Sequence, residues 1–137
     1  MLDSNNPRPR EDTLSALVLK NAKAIGHKTA IREKDLGIWQ SWSWSAVADE
    51  VKWLAGGLAS KGYVRGNNLA IIGDNRPRLY WSFAASQSLG GIPVPLYQDA
   101  IAEEMIYVFN DAEIEFAVVE DQEQVDKLLE IMPQCSK

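Results

Sequence analysis

Residues 69–77 read Leu69-Ala70-Ile71-Ile72-Gly73-Asp74-Asn75-Arg76-Pro77. An uninterrupted apolar run that ends in glycine and a polar turn reads as a short strand over 69–73. Pro77 then suits the first turn of a helix, where a missing N–H loses no hydrogen bond, and the pattern predicts that helix over 76–89. Downstream the alternation repeats, with a strand over 92–96, a helix over 103–111, a strand over 116–120 and a helix over 122–132. Short apolar strands separated by helices predict βαβ crossovers, so the fold class is α/β, with a mostly parallel sheet flanked by helices. Pro93 and Pro95 cannot donate ladder hydrogen bonds, which places their strand at an edge or turns its alternate amides away from a partner. Asp121-Gln122-Glu123-Gln124 is a capping-box start for the last helix, with Val125, Leu128, Leu129 and Met132 assigned to its buried face.

Upstream, Asp12 and Thr13 are capping residues for a helix to about Ile25, whose apolar positions Leu14, Leu17, Val18 and Ala22 recur at helical spacing. Gly26 stops it. Strand-like runs over 29–33 and 38–44, joined by Lys34-Asp35-Leu36-Gly37, predict a β-hairpin. Ser43 or Ser45 opens a helix to about Lys61 with a stripe of Val47, Val51, Leu54 and Leu58. Gly56 and Gly57 each weaken that helix by about 1 kcal/mol relative to alanine, and close packing against another element is the expected compensation. Gly62 and Gly66 mark its exit. Residues 1–11, with two prolines, two asparagines and four charges, are expected to be a flexible arm, and 12–137 a single domain.

The chain has 137 residues, of which 46% are hydrophobic and 24% charged, and a net charge of −5. One histidine, His27, and one cysteine, Cys135, cannot supply a disulfide framework, a zinc site or a Cys/His catalytic pair. Fourteen basic against nineteen acidic residues leave no cationic surplus for nucleic acid. No apolar stretch approaches the ~18 residues of a membrane span, and the polar start is unlike a targeting segment, so a cytoplasmic location is expected.

Ligands of parallel α/β sheets bind beyond the carboxyl ends of the strands, which singles out two loops. In Gly73-Asp74-Asn75-Arg76-Pro77 the structural reading makes Asn75 the helix N-cap; the functional one gives Asp74, Asn75 or Arg76 a ligand contact. The loop matches neither the dinucleotide fingerprint nor the P-loop. In Pro95-Leu96-Tyr97-Gln98-Asp99 the structural reading is a rigid turn with Tyr97 packed and Asp99 ahead of the next helix. Trp39, Trp42 and Trp44 alternate in a way that could build a stacking platform, with Trp42 and Trp44 on one face and Trp39 on the other. Without basic neighbours, core packing is the better account, as it is for Trp53 and Trp81. Glu103 and Glu104 read as helix-start charges facing the macrodipole. A single histidine in a polar loop leaves every serine without a general base. The residues alone therefore describe an α/β domain with no self-sufficient active site.

The segment from Asp12 to Cys135 resembles the N-terminal part of the acyl-adenylate-forming (AMP-binding) enzymes, most closely the bacterial long-chain fatty-acid–CoA ligases. The resemblance is carried by Lys28-Thr29-Ala30-Ile31, Ser43-Trp44-Ser45-Ala46-Val47, Gly57-Leu58 through Gly62, Arg65-Gly66-Asn67 and residues 69–77. It continues in Gly90-Gly91-Ile92-Pro93-Val94-Pro95-Leu96-Tyr97 and in residues 118–127. One departure is Ser43-Trp44-Ser45-Ala46, where the family commonly has Thr-Tyr-x-Glu; the missing glutamate removes half of a capping box. The Thr/Ser/Gly-rich lysine loop, the adenine motif, the ribose-binding aspartate and the lysine-bearing C-terminal domain of the family have no counterpart in these residues.

The resemblance implies an incomplete, N-terminal part of the adenylate-forming fold and a parent acid–thiol ligase. ATP, Mg2+ and CoA are its implied cofactors and co-substrates, and a fatty acid its acid substrate. It assigns no catalytic, cofactor-binding or metal-binding residue to this chain, which is expected to be inactive alone and, with apolar surface exposed, to self-associate. Peripheral membrane contact stays open. The rival readings are a stand-alone α/β binding or interaction module and a small nucleotide-binding protein.

Overall fold

A computed structural model describes residues 13–136; the arm expected over 1–11 and the Asp12 cap lie outside them. Helix α1 (Leu14–Ile25) precedes a hairpin of β1 (Thr29–Asp35) and β2 (Ile38–Ser43), followed by α2 (Trp44–Ser60), β3 (Asn68–Ile72) and α3 (Pro77–Ser88). Then come β4 (Ile92–Leu96), α4 (Ala102–Asp111), β5 (Phe116–Val119), α5 (Gln122–Ile131) and a 3-10 turn, Met132–Gln134. The hairpin is antiparallel; the second sheet is parallel throughout, in the order β4-β3-β5. The architecture is α/β, as the alternation predicted.

β3 is central because both of its faces are apolar. Leu69 and Ile71 pack with Tyr63 and with Leu58, Leu79 and Phe83 of α2 and α3, while Ala70 and Ile72 pack against Met105 and Phe109 of α4 and Ile131 of α5. β4 lies at an edge. The Ile92 N–H donates to the Asn67 carbonyl at 3.0 Å, so the proline nitrogens at 93 and 95 fall on the open side, where no ladder bond is lost and pairing with another strand is blocked. A third core joins α2 to α3 and the hairpin through Val47, Val51, Trp81 and Ala85.

The caps and turns follow local chemistry. Thr13 Oγ1 accepts from Ala16 N–H at 3.2 Å, Ser43 Oγ from Ala46 N–H at 3.2 Å and Asp121 Oδ1 from Gln124 N–H at 3.1 Å. The hairpin turns on Leu36 (φ 45°) and Gly37 (φ 83°), the two positive φ values of a type I′ turn. Leucine in that conformation costs about 1 kcal/mol.

Several expectations are corrected. Gly56 and Gly57 lie on an exposed stretch of α2, and a Cβ at either would meet nothing within 4 Å, so no close packing compensates them. Leu14 and Leu17 of α1 are exposed, leaving Val18 to reach the core. Trp53 is 66% exposed. Trp44 opens α2, so the tryptophan alternation ends at Trp42. On α5 the buried positions are Gln124 and Ile131, with Leu128 packed beside them, whereas Leu129 and Met132 face outward.

Gly91 shows a true close approach: a Cβ there would lie 1.9 Å from the Tyr63 hydroxyl. That hydroxyl donates to the Asn67 carbonyl at 2.9 Å and shares a 2.7 Å hydrogen bond with Ser86. Gly91→Ala is expected to destabilise by roughly 2 kcal/mol through overpacking, and Gly57→Ala to stabilise by about 0.5–1 kcal/mol. Urea unfolding of the two variants checks both, and effects of equal sign would contradict the packing described.

Candidate functional site at the strand ends

The carboxyl ends of β3 and β5 meet the loop after β4 and the inner face of the hairpin. Glu120 follows β5, and its N–H donates to the Ile72 carbonyl at 3.0 Å. Its carboxylate accepts from the Asp74 N–H and pairs with Arg76 Nε at 2.9 Å. Arg76 also reaches Glu33 of β1 at 3.3 Å and Asp74 at 4.0 Å. Gln98, after β4, donates to Asp74 Oδ1 at 2.7 Å, and Lys127 of α5 donates to the Gln98 carbonyl at 2.8 Å. One polar clasp thus ties all three strand ends to the hairpin and α5.

Beside the clasp is a cleft of about 330 Å³, floored by Ile71 and Val118 and walled by Trp42, Trp81, Arg76 and Glu33. Trp42 and Trp81 meet edge to face at 5.7 Å between centroids and 75° between planes. The buried Trp81 Nε1 has no hydrogen-bond partner among the described residues. Gly73 admits Glu120 to the clasp, since a Cβ there would lie 2.8 Å from both Cβ and Oε2 of Glu120.

Asp74 and Arg76 are therefore engaged by protein groups. Asn75 is not the N-cap: Pro77 occupies the first helical position, so the cap is Arg76, whose side chain makes no cap bond. Asn75 Oδ1 instead accepts from the Tyr80 hydroxyl at 2.5 Å. Tyr97 is 88% exposed rather than packed. Glu103 and Glu104 stand in the first turn of α4 as expected, and His27 lies in an exposed turn. Burial pushes the Cys135 thiol up from its ordinary range, which lowers its thiolate content at neutral pH. Glu120, which in the sequence reads as one of a run of helix-start carboxylates, belongs to the clasp instead, and Glu33 joins it with no local signal beyond its place at a strand end.

Glu33, Asp74 and Glu120 surround one guanidinium, so the clasp is net anionic and suits neither a polyphosphate nor, with its nitrogen cation in place, a metal. Among the described residues no group of three His, Cys, Asp or Glu side chains could hold a metal ion. No helix is long and apolar enough to cross a membrane.

Residues 18–137 match the family described as AMP-binding enzyme. The chain belongs to that family. This AMP-binding family chain is 32% identical over 112 residues to the 4-hydroxybutyrate–CoA ligase 2 of Metallosphaera sedula, covering 82% of its own length and 20% of the relative's. It is 25% identical over 122 residues to a long-chain-fatty-acid–CoA ligase of Xenopus laevis, covering 89% and 16%. It thus spans about a fifth or less of these curated relatives. The anthranilate CoA ligase AuaEII, solved with anthranoyl-AMP, shares the fold with TM-score 0.80 at 19% identity over 89% of this chain and 23% of that one.

Arg76→Met is expected to lower stability by about 1 kcal/mol at low ionic strength, because the pairs are half-exposed, and the deficit should shrink in salt. Denaturant titrations at two salt concentrations measure this; an unchanged stability would show that the clasp holds nothing together.

Proposed function

We propose that this chain is the N-terminal layer of a long-chain fatty-acid–CoA ligase. Such a ligase joins a fatty carboxylate to the α-phosphorus of ATP, breaking the bond to pyrophosphate. The CoA thiolate then attacks the acyl carbon and expels AMP. The observation that carries the reading is the family match over 18–137, on strands and loops in the order the resemblance implied. The long-chain class is favoured by residues 90–97 and 118–127, which resemble long-chain ligases, and by relatives of that kind.

In this reading the chain supplies scaffold. The anionic clasp does not fit ATP or Mg2+, and no step is assigned to its residues; nucleotide, metal and CoA are held by groups outside these 137 residues. The apolar side chains left exposed, Trp53 and Tyr107 among them, favour self-association when the chain is alone.

The test extends the reading frame beyond Lys137 and assays both products. The 137-residue chain is expected to release no pyrophosphate from ATP with palmitate, and the extended protein to release it with palmitate in preference to 4-hydroxybutyrate. Turnover by the short chain would overturn its scaffold role. A preference for the short hydroxy acid would overturn the long-chain class, and no release with any acid would overturn the ligase reading.

A further inference from the structure

The hairpin has two unlike faces. Glu33, Asp35, Gln40 and Trp42 line the cleft. The opposite face carries Lys34 paired with Trp39 and Arg32 paired with Ser41, and the Arg32 guanidinium lies 4.6 Å over the Trp39 ring. Both carboxylates of the hairpin thus line the cleft, leaving cations and an aromatic ring on the outer face. At the tip, Leu36 is 95% exposed in a backbone conformation that leucine rarely adopts. An apolar side chain held outward at an unfavourable φ is of no use to the core, and points to a task at the surface.

The charge distribution along the sequence is uneven, and the hairpin lies in a cationic stretch. Between Leu14 and Ser45 five cations meet two carboxylates, while between Asp99 and Glu130 eleven carboxylates meet one cation, Lys127. The segment that carries the hairpin is thus cationic, in a chain that is anionic as a whole, and it is the part that an anionic surface attracts. Nucleic acid would be served by the cations alone. A lipid surface also uses the leucine tip and the tryptophan, whose amphipathic ring suits the headgroup level.

The geometry points to a docking surface for anionic lipid bilayers, made of Arg32, Lys34, Leu36 and Trp39. It stands apart from the ligase reading and survives that reading's failure. Two contributing cations and one apolar tip make the contact weak and reversible, strengthened when several copies bind together.

Co-sedimentation of the 137-residue chain with phosphatidylcholine vesicles containing phosphatidylserine, against pure phosphatidylcholine, tests it. Binding is expected only to the anionic vesicles and is expected to weaken with salt. Arg32→Gln with Lys34→Gln should weaken it roughly 30-fold, and Leu36→Asn about tenfold. Leu36→Asn relieves the turn, so its melting temperature should hold or rise while binding falls, which separates docking from folding. Lys61→Gln with Arg65→Gln removes equal charge beyond the far end of α2, about 25 Å along that helix, and should leave binding nearly unchanged. Equal binding to neutral vesicles, no binding at low salt, or the same loss from the far-end variant would overturn the proposal. So would capture by duplex DNA in preference to the vesicles, which would assign the face to nucleic acid.

Discussion

Everything in this fold is built on β3 being unwelcome in water from either side. Leu69 and Ile71 need cover on one face, Ala70 and Ile72 on the other, and all four are essentially fully buried. A strand with that character must be central, and the parallel pairing to β4 and β5 makes it so. Burying four such side chains is worth several kcal/mol, on the order of 25 cal/mol per Å² of apolar surface removed from water. The helices follow from that demand: α2 and α3 cover one face, α4 and α5 the other.

The same arrangement positions the polar clasp. Parallel strands deliver their loops to one edge, so Asp74, Gln98 and Glu120, far apart in sequence, become neighbours. Arg76 is the cation that lets Asp74 and Glu120 coexist with Glu33 at the hairpin. The outcome is an anionic strand-end surface, where a nucleotide-binding loop would need N–H groups and cations turned outward. The family is shown by the chain's sequence and its fold by the sheet, and the clasp links the strand ends to the hairpin and α5.

Much of this was legible beforehand. Each α-helix and strand lies within two residues of its expected bounds, because the chain punctuates itself with Gly26, Gly37, Gly62, Pro77 and the capping Asp121; the 3-10 turn Met132–Gln134 has no such signal. The edge position of β4 was written in Pro93 and Pro95. What failed has a common cause, that spacing gives a period but not a phase. On α5 two stripes share Leu128, one through Gln124 and Ile131 and one through Val125, Leu129 and Met132; only the packing against α4 and β3 chooses between them. Trp53 and Tyr97 are packing residues by type yet lie exposed, because residue type says nothing about which side of an element meets the core. The Glu33, Arg76 and Glu120 contacts span more than forty residues each, and no local pattern announces them.

The claim that β3 organises the molecule is open to a direct measurement, native-state hydrogen exchange resolved by residue. The amides of Ala70, Ile71 and Ile72 should exchange only through global unfolding, with the highest opening free energies in the chain, and those of the hairpin through smaller local openings. Hairpin amides protected as strongly as those of β3, or β3 amides that exchange while α2 and α3 stay closed, would contradict it.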